Sequence, residues 1–432
     1  MGRLPSGSYP RIASLDVMRG VAILGILVMN VRNFALPVQA FQRPGEAGGL
    51  SVGNVAAWAG ANLLFEDKMI ALLSLLFGAG LVLAQRHAAA RGEPFAGPWF
   101  RRCAWLLAFG LVHAVAVWYG DILNTYAVAG ALLFLVRDWS PRRLAWLGVL
   151  VLLLVPAIEH GPAAWRLLRE GAGAAPGGEP WPIERLRERL AQPPPVAGGA
   201  AAETVALRGS WSDAVRWQLA IFHAWHVRGA YTFNLWRCAG VMLLGMALAK
   251  HGFFAGEAAA LRRRLLALGY GVGGPLALFS LGTLFLLERW RAGEELGFDP
   301  VALAWPRLLQ RSTQFASGVL IGLGHAALIV AWCERAEARA LPSRLAAAGR
   351  LALTNYLVQS LLCTALFYGW GLGLFGRLSM LELTGVVAVI VALQLVVSPW
   401  WLARFRIGPL EWAWRSLARW RPLPWRRESA AA

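Results

Sequence analysis

Apolar runs of membrane-spanning length recur along this chain. About 20 apolar residues cross the hydrocarbon core of a bilayer, and within that core helices can satisfy every backbone hydrogen bond internally. The runs therefore predict an all-α integral membrane bundle of about ten transmembrane helices. These helices are expected at residues 14–33, 67–86, 102–119, 122–137, 143–159, 231–250, 263–287, 306–333, 349–369 and 382–402.

The composition agrees with a chain that has the lipid bilayer as its solvent. Hydrophobic residues make up 57% of the 432 residues, and 22 residues are Trp. A soluble domain of this composition would be hard to keep in solution. Tryptophans near the ends of the runs are therefore predicted to be interfacial anchors.

The basic residues predict an orientation. The formal net charge is +18, but the arginines lie in short loops between apolar runs and form no single basic stripe, which excludes nucleic acid as a partner. Most of them fall on one side, which predicts a multi-pass membrane protein with both termini in the cytoplasm. Residues 1–421 are predicted as one transmembrane domain with an external loop at 160–230, and residues 422–432 as a flexible cytoplasmic tail.

An oppositely charged pair lies inside the first apolar run. Asp16 and Arg19 are three residues apart, so both side chains lie on one face of a helix. A charge in hydrocarbon costs several kcal/mol and is by default a sign of a functional site. The alternative is an ion pair that only fixes helix packing.

Five stretches of the chain match a known pattern. They are L-D-V-M-R-G-V-A-I-L-G-I-L-V-M-N in the first run, F-E-D-K-M-I-A-L-L-S-L-L-F-G-A-G at 65–80, G-L-V-H-A with G-D-I-L-N-T-Y-A within 110–127, G-R-L-A-L-T-N-Y-L-V-Q-S at 349–360 and F-R-I-G-P-L-E-W-A-W-R at 405–415. Together they resemble the YeiB family, a bacterial membrane family described as domain-of-unknown-function family 418. The last stretch is the most specific, because apolar composition does not produce it by chance.

The first stretch is also similar to heparan-α-glucosaminide N-acetyltransferase and its bacterial relatives. Those multi-spanning enzymes move an acyl group from cytoplasmic acyl-CoA to a sugar on the far side of the membrane. The resemblance implies a transmembrane acyltransferase with acyl-CoA as donor, no tightly bound cofactor and an envelope-side carbohydrate or other small molecule as acceptor. The acceptor, the acyl length and the oligomeric state stay open.

Transfer across a membrane needs a cationic mouth for the CoA phosphates at the inner face and a base beside the acceptor at the outer face. Depth along the runs divides the polar residues accordingly. The inner group is Asp16, Arg19, Asn355, Tyr356 and Glu411. The outer group is Asn30, Lys68, His113, Asp121, Tyr126, Arg237, Arg311 and Gln314. All are predicted to bind substrate except His113, Asp121 and Tyr126, which are the predicted catalytic residues.

His113 is the predicted general base. It lies ~16 Å along its helix from the inner end, at 1.5 Å per residue, and a neutral imidazole can accept a proton near pH 7. Asp121 would orient it or bind the acceptor. The alternative is an imidazole hydrogen-bonded only to the helix backbone.

Other polar residues leave further alternatives. Lys68 either neutralises an anionic substrate or extends to the interface, and Arg237 and Arg311 either bind an anion or pair with acidic loop residues. His223 and His226 suggest a metal by their spacing, but no third ligand is evident. No metal site is therefore predicted.

Two other functions use the same residues. A small-solute transporter or exporter would use the buried charges as a binding and proton-coupling site, although no inverted repeat is evident. A non-catalytic envelope sensor is the third. A cavity that reaches His113 from the inner side favours the acyltransferase, and a midplane site with alternating gates favours the transporter.

Overall fold

The computed structural model describes residues 12–171, apart from residues 39, 41, 42 and 47, and residues 199–222, 233–291, 304–335 and 340–426. Within these ranges the secondary structure is helical, and β-pairing is limited to an isolated bridge between Phe405 and Arg426. The predicted all-α class is confirmed.

The α-helices of the described ranges are numbered here in chain order. The first eight are α1 Ala13–Ala35, α2 Val52–Leu64, α3 Lys68–Ala90, α4 Ala96–Ala116, α5 Leu123–Leu133, α6 Pro141–Gly171, α7 Gly199–Arg208 and α8 Trp211–Phe222. They continue with α9 Leu235–Lys250, α10 Ala259–Gly271, α11 Gly273–Arg291, α12 Ala304–Arg335, α13 Ala340–Arg350, α14 Ala352–Phe367, α15 Met380–Arg404 and α16 Pro409–Arg419.

Six helical segments of the described chain are long and apolar enough to cross a membrane, so the protein is a multi-pass membrane protein. They are Ala13–Ala35, Val52–Ala90, Pro141–Ile158, Ala259–Arg289, Leu309–Arg335 and Met380–Arg404. The predicted count of ten also included helices that are short or interrupted by charge. Thus α9 and α14 have 16 residues each, α5 has 11, and α4 carries Arg101 and Arg102 near its start.

The segment Val52–Ala90 is broken where its charged residues lie. α2 ends at Leu64, and α3 begins at Lys68 after a turn in which Asp67 adopts a left-handed backbone conformation with φ of 62°. Asp tolerates this conformation better than most residues. The sequence predicted α3 but not α2, because Asn54, Gly60 and Asn62 interrupt its apolar run.

Glycines allow α1 and α13 to pack backbone against backbone. A methyl group added at Gly20 would collide with the carbonyl oxygen of Leu345, and one added at Gly349 would collide with that of Asp16. Small residues permit such close approach between membrane helices. The contact fixes the start of α14, which begins three residues after Gly349.

Three helices connect the two ends of the bundle that matter for the site. Near the beginnings of α1, α4 and α14, Arg19, Arg102 and Arg350 line one cavity; we call this the arginine end. At the opposite ends of these helices, Phe34, Trp118 and Tyr368 belong to one buried cluster; we call this the aromatic end.

Candidate functional site

A cavity of about 220 Å³ opens at the arginine end of the bundle. Four arginines line it, which are Arg19, Arg102, Arg350 and Arg415. Its body is apolar, formed by Ile23, Leu73, Leu76, Phe77, Leu106 and Leu123, and its wall also includes Ile122, Tyr126 and Tyr356. Gly80 also lines it, and a methyl group added there would meet nothing within 4 Å. The cavity thus joins a cationic entrance to an apolar interior.

The guanidinium of Arg102 lies over an aromatic ring at the entrance. Its central carbon is 4.3 Å from the ring centroid of Trp414, and Trp414 Nε1 donates a 2.9 Å hydrogen bond to the Arg102 carbonyl oxygen. A stacked guanidinium keeps its N–H groups at the edge of the plane, where they can still donate to an anion. The packing of α16 against α4 therefore orients one of the four cations.

Glu411 caps α14 at the same entrance. Its carboxylate accepts from Leu353 N at 2.7 Å, from Thr354 N at 3.1 Å and from Thr354 Oγ1 at 2.6 Å. Backbone N–H groups in the first turn of a helix have no intrahelical acceptor, and the helix dipole favours an anion there. Glu411 was predicted to bind substrate; in the structure its oxygens bind the helix.

One member of the charged pair on α1 lines the cavity. Arg19 Nη1 donates to Asp16 Oδ1 at 3.1 Å, and 34% of the Arg19 side chain is exposed against 10% of Asp16. Asn355 is buried and donates to Ala348 O at 3.1 Å and Ser398 Oγ at 3.2 Å. Arg19 can therefore meet a ligand, whereas Asp16 holds Arg19 and Asn355 joins helices.

His113 and Asp121 form a buried hydrogen-bonded pair. Their Nδ1 and Oδ1 atoms are 2.9 Å apart, and the side chains are 2% and 0% exposed. Asp121 Oδ2 also accepts from Asn124 N at 2.9 Å, which fixes the carboxylate at the start of α5. With an ionised carboxylate at Nδ1, the neutral imidazole carries its proton there, so Nε2 has the lone pair. Nε2 is buried and has no hydrogen-bond partner among the described residues.

Two aromatic rings flank the His113 imidazole. The Tyr356 ring centroid is 5.2 Å from it, and that of Trp118 is 6.3 Å from it. Tyr356 also forms part of the cavity wall, whereas Trp118 belongs to the aromatic end. One side chain therefore separates His113 from the cavity.

Tyr126 is hydrogen-bonded to α3. Its hydroxyl oxygen is 2.9 Å from Ser74 Oγ and 3.1 Å from Ile70 O, so it ties α5 to α3 while its ring lines the cavity. Of the three predicted catalytic residues, the structure pairs His113 with Asp121 and places Tyr126 on the cavity wall.

The remaining predicted residues are distributed around the α2–α3 turn. Lys68 Nζ donates to Asn62 O at 2.8 Å and is buried, and Gln314 Nε2 donates to Glu66 Oε1 at 2.7 Å. Glu66 also pairs with Arg32 at 3.1 Å. Glu66 of the turn thus joins α1 to α12, and Lys68 joins the start of α3 to the end of α2.

Arg237 pairs with the turn as well. Its Nη2 lies 2.6 Å from Asp67 Oδ1, and its guanidinium stacks on Phe315 at 4.8 Å. This geometry matches the alternative of pairing with an acidic loop residue. Arg311 is exposed on α12, and Asn30 is buried in α1; neither lines the cavity.

Metal ligands were considered at His223 and His226, which lie outside the described residues. Among the residues that are described, no three His, Cys, Asp or Glu side chains are grouped so as to hold a metal ion.

Several residues of the cavity were missed by sequence reasoning. Arg102, Arg350 and Arg415 were assigned to loops or to helix ends, and Trp414 to an interfacial anchor. One signal was present: the W-A-W-R stretch, singled out as the most specific motif, supplies both Trp414 and Arg415 to the wall.

Comparison with known proteins identifies relatives along nearly the whole chain. The family model described as protein of unknown function (DUF418) matches residues 248–421. The chain is 31% identical over 429 residues to the uncharacterized protein YeiB of Escherichia coli (strain K12), covering 94% of this chain and 96% of YeiB. It is 29% identical over 432 residues to the uncharacterized protein YxaH of Bacillus subtilis (strain 168), covering 97% of each. The resemblance of the five motifs to the YeiB family is thereby confirmed, and the chain belongs to the YeiB family, DUF418.

Proposed function

We propose that the protein is a transmembrane acyltransferase that moves an acyl group from acyl-CoA to an acceptor at the opposite side of the membrane. The observation that carries the proposal is the arginine-lined cavity, because its apolar interior ends at Tyr356, whose ring packs on the His113 imidazole. The cavity opens at the arginine end, where the CoA phosphates would be bound. The imidazole of His113 lies behind the Tyr356 ring.

The chemistry of acyl-CoA matches the two parts of the cavity. Phosphates are bound best by arginines, whose planar guanidinium donates two parallel hydrogen bonds. Four arginines line the cavity together with one carboxylate, Glu411, and a second carboxylate, Asp16, pairs with Arg19, so positive charge prevails. An acyl group and the pantetheine arm are mostly apolar, and the leucine-rich interior buries such surface favourably.

His113 is proposed to act as the general base. Its Nε2 removes the proton of the acceptor hydroxyl or amine as that oxygen or nitrogen forms a bond to the thioester carbonyl carbon. The carbon–sulfur bond then breaks, and the CoA thiolate leaves with the electron pair and takes the proton from the imidazolium. The Asp121 carboxylate accepts a hydrogen bond from the protonated Nδ1 throughout and stabilises the transient positive charge of the imidazolium. Tyr356 must turn aside for the thioester to reach His113.

The topology proposed with this reaction has ten membrane passages and both termini in the cytoplasm. The four shorter or charge-interrupted helices α4, α5, α9 and α14 are added to the six long segments to make this count, and loop arginines support the orientation. It places the arginine end in the cytoplasm, where acyl-CoA is made, in a bacterial inner membrane. A reporter active only in the cytoplasm, fused after Ala432, should be active. If a reporter that is active only outside the cytoplasm were active at this position, the orientation would be the reverse of the one proposed.

Donor binding can be tested by filling the cavity. Gly80→Phe adds a ring where nothing lies within 4 Å of the new side chain's first carbon and should weaken acetyl-CoA binding at least about tenfold, measured by calorimetry on detergent-solubilised protein. Gly282→Phe is the matched control, since Gly282 is also a helical glycine with open space but does not line the cavity. Equal binding by both variants would exclude the cavity as the donor site.

Neighbouring arginines provide a second test. Arg102→Gln removes a cavity cation, whereas Arg101→Gln removes its neighbour, which donates to Ala418 O and is not part of the lining. We expect weaker acetyl-CoA binding for Arg102→Gln alone. If the parent protein binds no acyl-CoA and instead accumulates a solute in proteoliposomes with a proton gradient, the transporter is the correct function.

A further inference from the structure

The aromatic end contains buried polar atoms that no other described residue satisfies. Six side chains each have a polar atom that is buried and without a hydrogen-bond partner among the described residues. They are Trp58, Trp118, Glu203, Trp217, Gln218 and Tyr368, which we call the polar–aromatic cluster. Each is at most 8% exposed. Buried polar groups are normally paired, so a group of them in one region needs an explanation.

The cluster is assembled from five separate parts of the chain. Trp58 comes from α2, Trp118 from the segment after α4 and Tyr368 from the segment after α14, and all three belong to one contiguous buried core with Trp217 of α8. Gln218 is adjacent to Trp217 on the buried face of α8. Because the residues come from distant segments, it is the tertiary packing and not the local sequence that brings these polar groups together.

Glu203 of α7 is connected to the same region. Its Oε2 accepts from Val38 N at 3.0 Å, while its Oε1 has no partner among the described residues. The hydroxyls of Tyr119 and Tyr368 lie within electrostatic range of this carboxyl. Burial raises the pKa of Glu203 to about 7, although the Val38 N–H opposes the shift. Near neutral pH the carboxyl can therefore either donate or accept a hydrogen bond.

The mixture of donors and acceptors limits what can bind. Three indole N–H groups can only donate, and the Gln218 amide oxygen can only accept. A bare cation would leave the indoles unsatisfied, and a simple anion would face the Glu203 carboxyl. A ligand with several hydroxyl groups can both donate and accept, and its apolar faces suit aromatic walls.

We propose that the polar–aromatic cluster is a binding site for a hydroxyl-rich ligand of the glycosyl class. It rests on the proposed function for its role as acceptor site, since Trp118 packs on both the cluster and the His113 ring, with centroids 6.3 Å apart. The His113 imidazole then lies between two sites: the Tyr356 ring separates it from the donor cavity, and the Trp118 ring separates it from the acceptor site. Entry of the ligand requires a movement of α7 and α8, which supply three of the six residues.

Ligand-dependent stability is the first measurement. The full-length protein in detergent is heated with glucose, glucosamine, N-acetylglucosamine or galactose, and with sorbitol as an open-chain polyol control. Sugars stabilise proteins generally by exclusion from the surface, but a specific site gives a saturable rise in Tm for a subset of the ring sugars. The donor is left out, so the result does not depend on acyl transfer.

Two tryptophans on α8 supply the matched variants. Trp217→Phe removes an indole N–H that has no acceptor among the described residues, whereas Trp211→Phe removes one that donates to Ala116 O at 3.1 Å. We expect Trp217→Phe to weaken the sugar effect about tenfold, the value of one hydrogen bond. Its Tm without sugar should stay near that of the parent, and Trp211→Phe should keep the parent response.

The outcomes separate the two proposals. A saturable sugar response lost in Trp217→Phe, with no acetyl-CoA binding, supports the sugar site and contradicts the acyltransferase. Acetyl-CoA binding without any saturable sugar response overturns the site, and so does a response that is equal in Trp217→Phe and the parent. In those two cases the cluster is not a sugar site.

Discussion

The two ends of the bundle treat their polar groups in opposite ways. At the arginine end the groups are charged and bonded: Glu411 accepts three hydrogen bonds from α14, and Arg102 stacks on Trp414. At the aromatic end the groups are mostly neutral, buried and unsatisfied by the described residues, as at Trp217 and Gln218. His113 lies between the two, with Tyr356 on one side and Trp118 on the other.

This difference indicates different ways of preparing a site. A mouth for a highly charged ligand can be held open by the fold's own bonds, because charged side chains that contact water need no ligand to be satisfied. A buried neutral site has no such support, and its polar atoms are satisfied only when something enters. The predictions below test each half of this contrast.

The largest effect is expected between the two ends, at the imidazole. His113→Gln keeps a hydrogen-bonding side chain but cannot act as a base, so acyl transfer should fall ~10²–10⁴-fold with little change in Tm. The assay supplies radiolabelled acetyl-CoA to the arginine end of proteoliposomes and candidate acceptors to the other. His87→Gln is the control, because His87 lies near the end of α3 and is bonded to Leu83 O. Full activity in His113→Gln would exclude His113 as the base.

The satisfied end should show the largest loss of stability. Glu411→Ala leaves two N–H groups and a hydroxyl of the α14 start without their acceptor, which should lower the free energy of unfolding by roughly 3–5 kcal/mol. Glu411→Gln keeps one acceptor oxygen and should lose less. Chemical denaturation in detergent measures both. If Glu411→Ala matched the parent, the α14 cap would not be a stabilising contact.

The unsatisfied end should instead show a pH effect. Because burial raises the pKa of Glu203 from 4.5 to about 7, the folded protein binds more protons than the unfolded chain between these values. Stability contributed by Glu203 is therefore complete below about pH 4.5, falls as pH rises, and is lost above about pH 7, by roughly 3 kcal/mol at most.

Glu203→Gln removes that proton exchange. The Tm of the variant minus that of the parent should be more positive at pH 8 than at pH 5, since the parent alone loses stability on ionisation. Asp213→Asn serves as the control, because Asp213 is exposed on the neighbouring α8 and pairs with Arg216. A difference that is constant with pH would show that the Glu203 carboxyl does not titrate in this range.

The smallest effect is expected for the pair on α1. Asp16→Ala would cost about 3–5 kcal/mol if Arg19 were sealed from solvent. Arg19 is 34% exposed and lines the cavity, so we expect about 1 kcal/mol. Equilibrium unfolding of Asp16→Ala measures the stability, with Arg91→Ala as the control, because the ion pair of Arg91 with Glu93 is exposed at both side chains. A loss above about 3 kcal/mol would indicate a desolvated pair.

The fold was predictable where one continuous apolar run makes one helix. The predicted range 14–33 became Ala13–Ala35, and 382–402 became Met380–Arg404. The range 263–287 became two helices that meet at Val272, because Gly271, Gly273 and Gly274 weaken the helix there. The range 160–230 was predicted as a loop, but it includes the helix Trp211–Phe222, which has one buried face.

The site was predictable only where its residues are close in sequence. His113 and Asp121 are eight residues apart across one short turn, so their pairing could be expected from the chain itself. Arg102 and Trp414 are 312 residues apart, and their contact depends on how α16 packs against α4. No local pattern relates Glu203 to Trp118, because burial and tertiary packing alone bring α7 to that end.

The cap that Glu411 provides has a consequence for how fast ligands arrive. Its charge is engaged by the N-terminus of α14, so it neutralises the neighbouring arginines less than a free carboxylate would. The entrance then attracts anions over distances comparable to the Debye length, which is about 8 Å at physiological ionic strength. Association of a polyanion at this end should slow steeply with added salt, whereas association of a neutral molecule at the other end should not. Ionic strength therefore distinguishes ligand binding in the arginine-lined cavity from ligand binding at the proposed sugar site without any substitution.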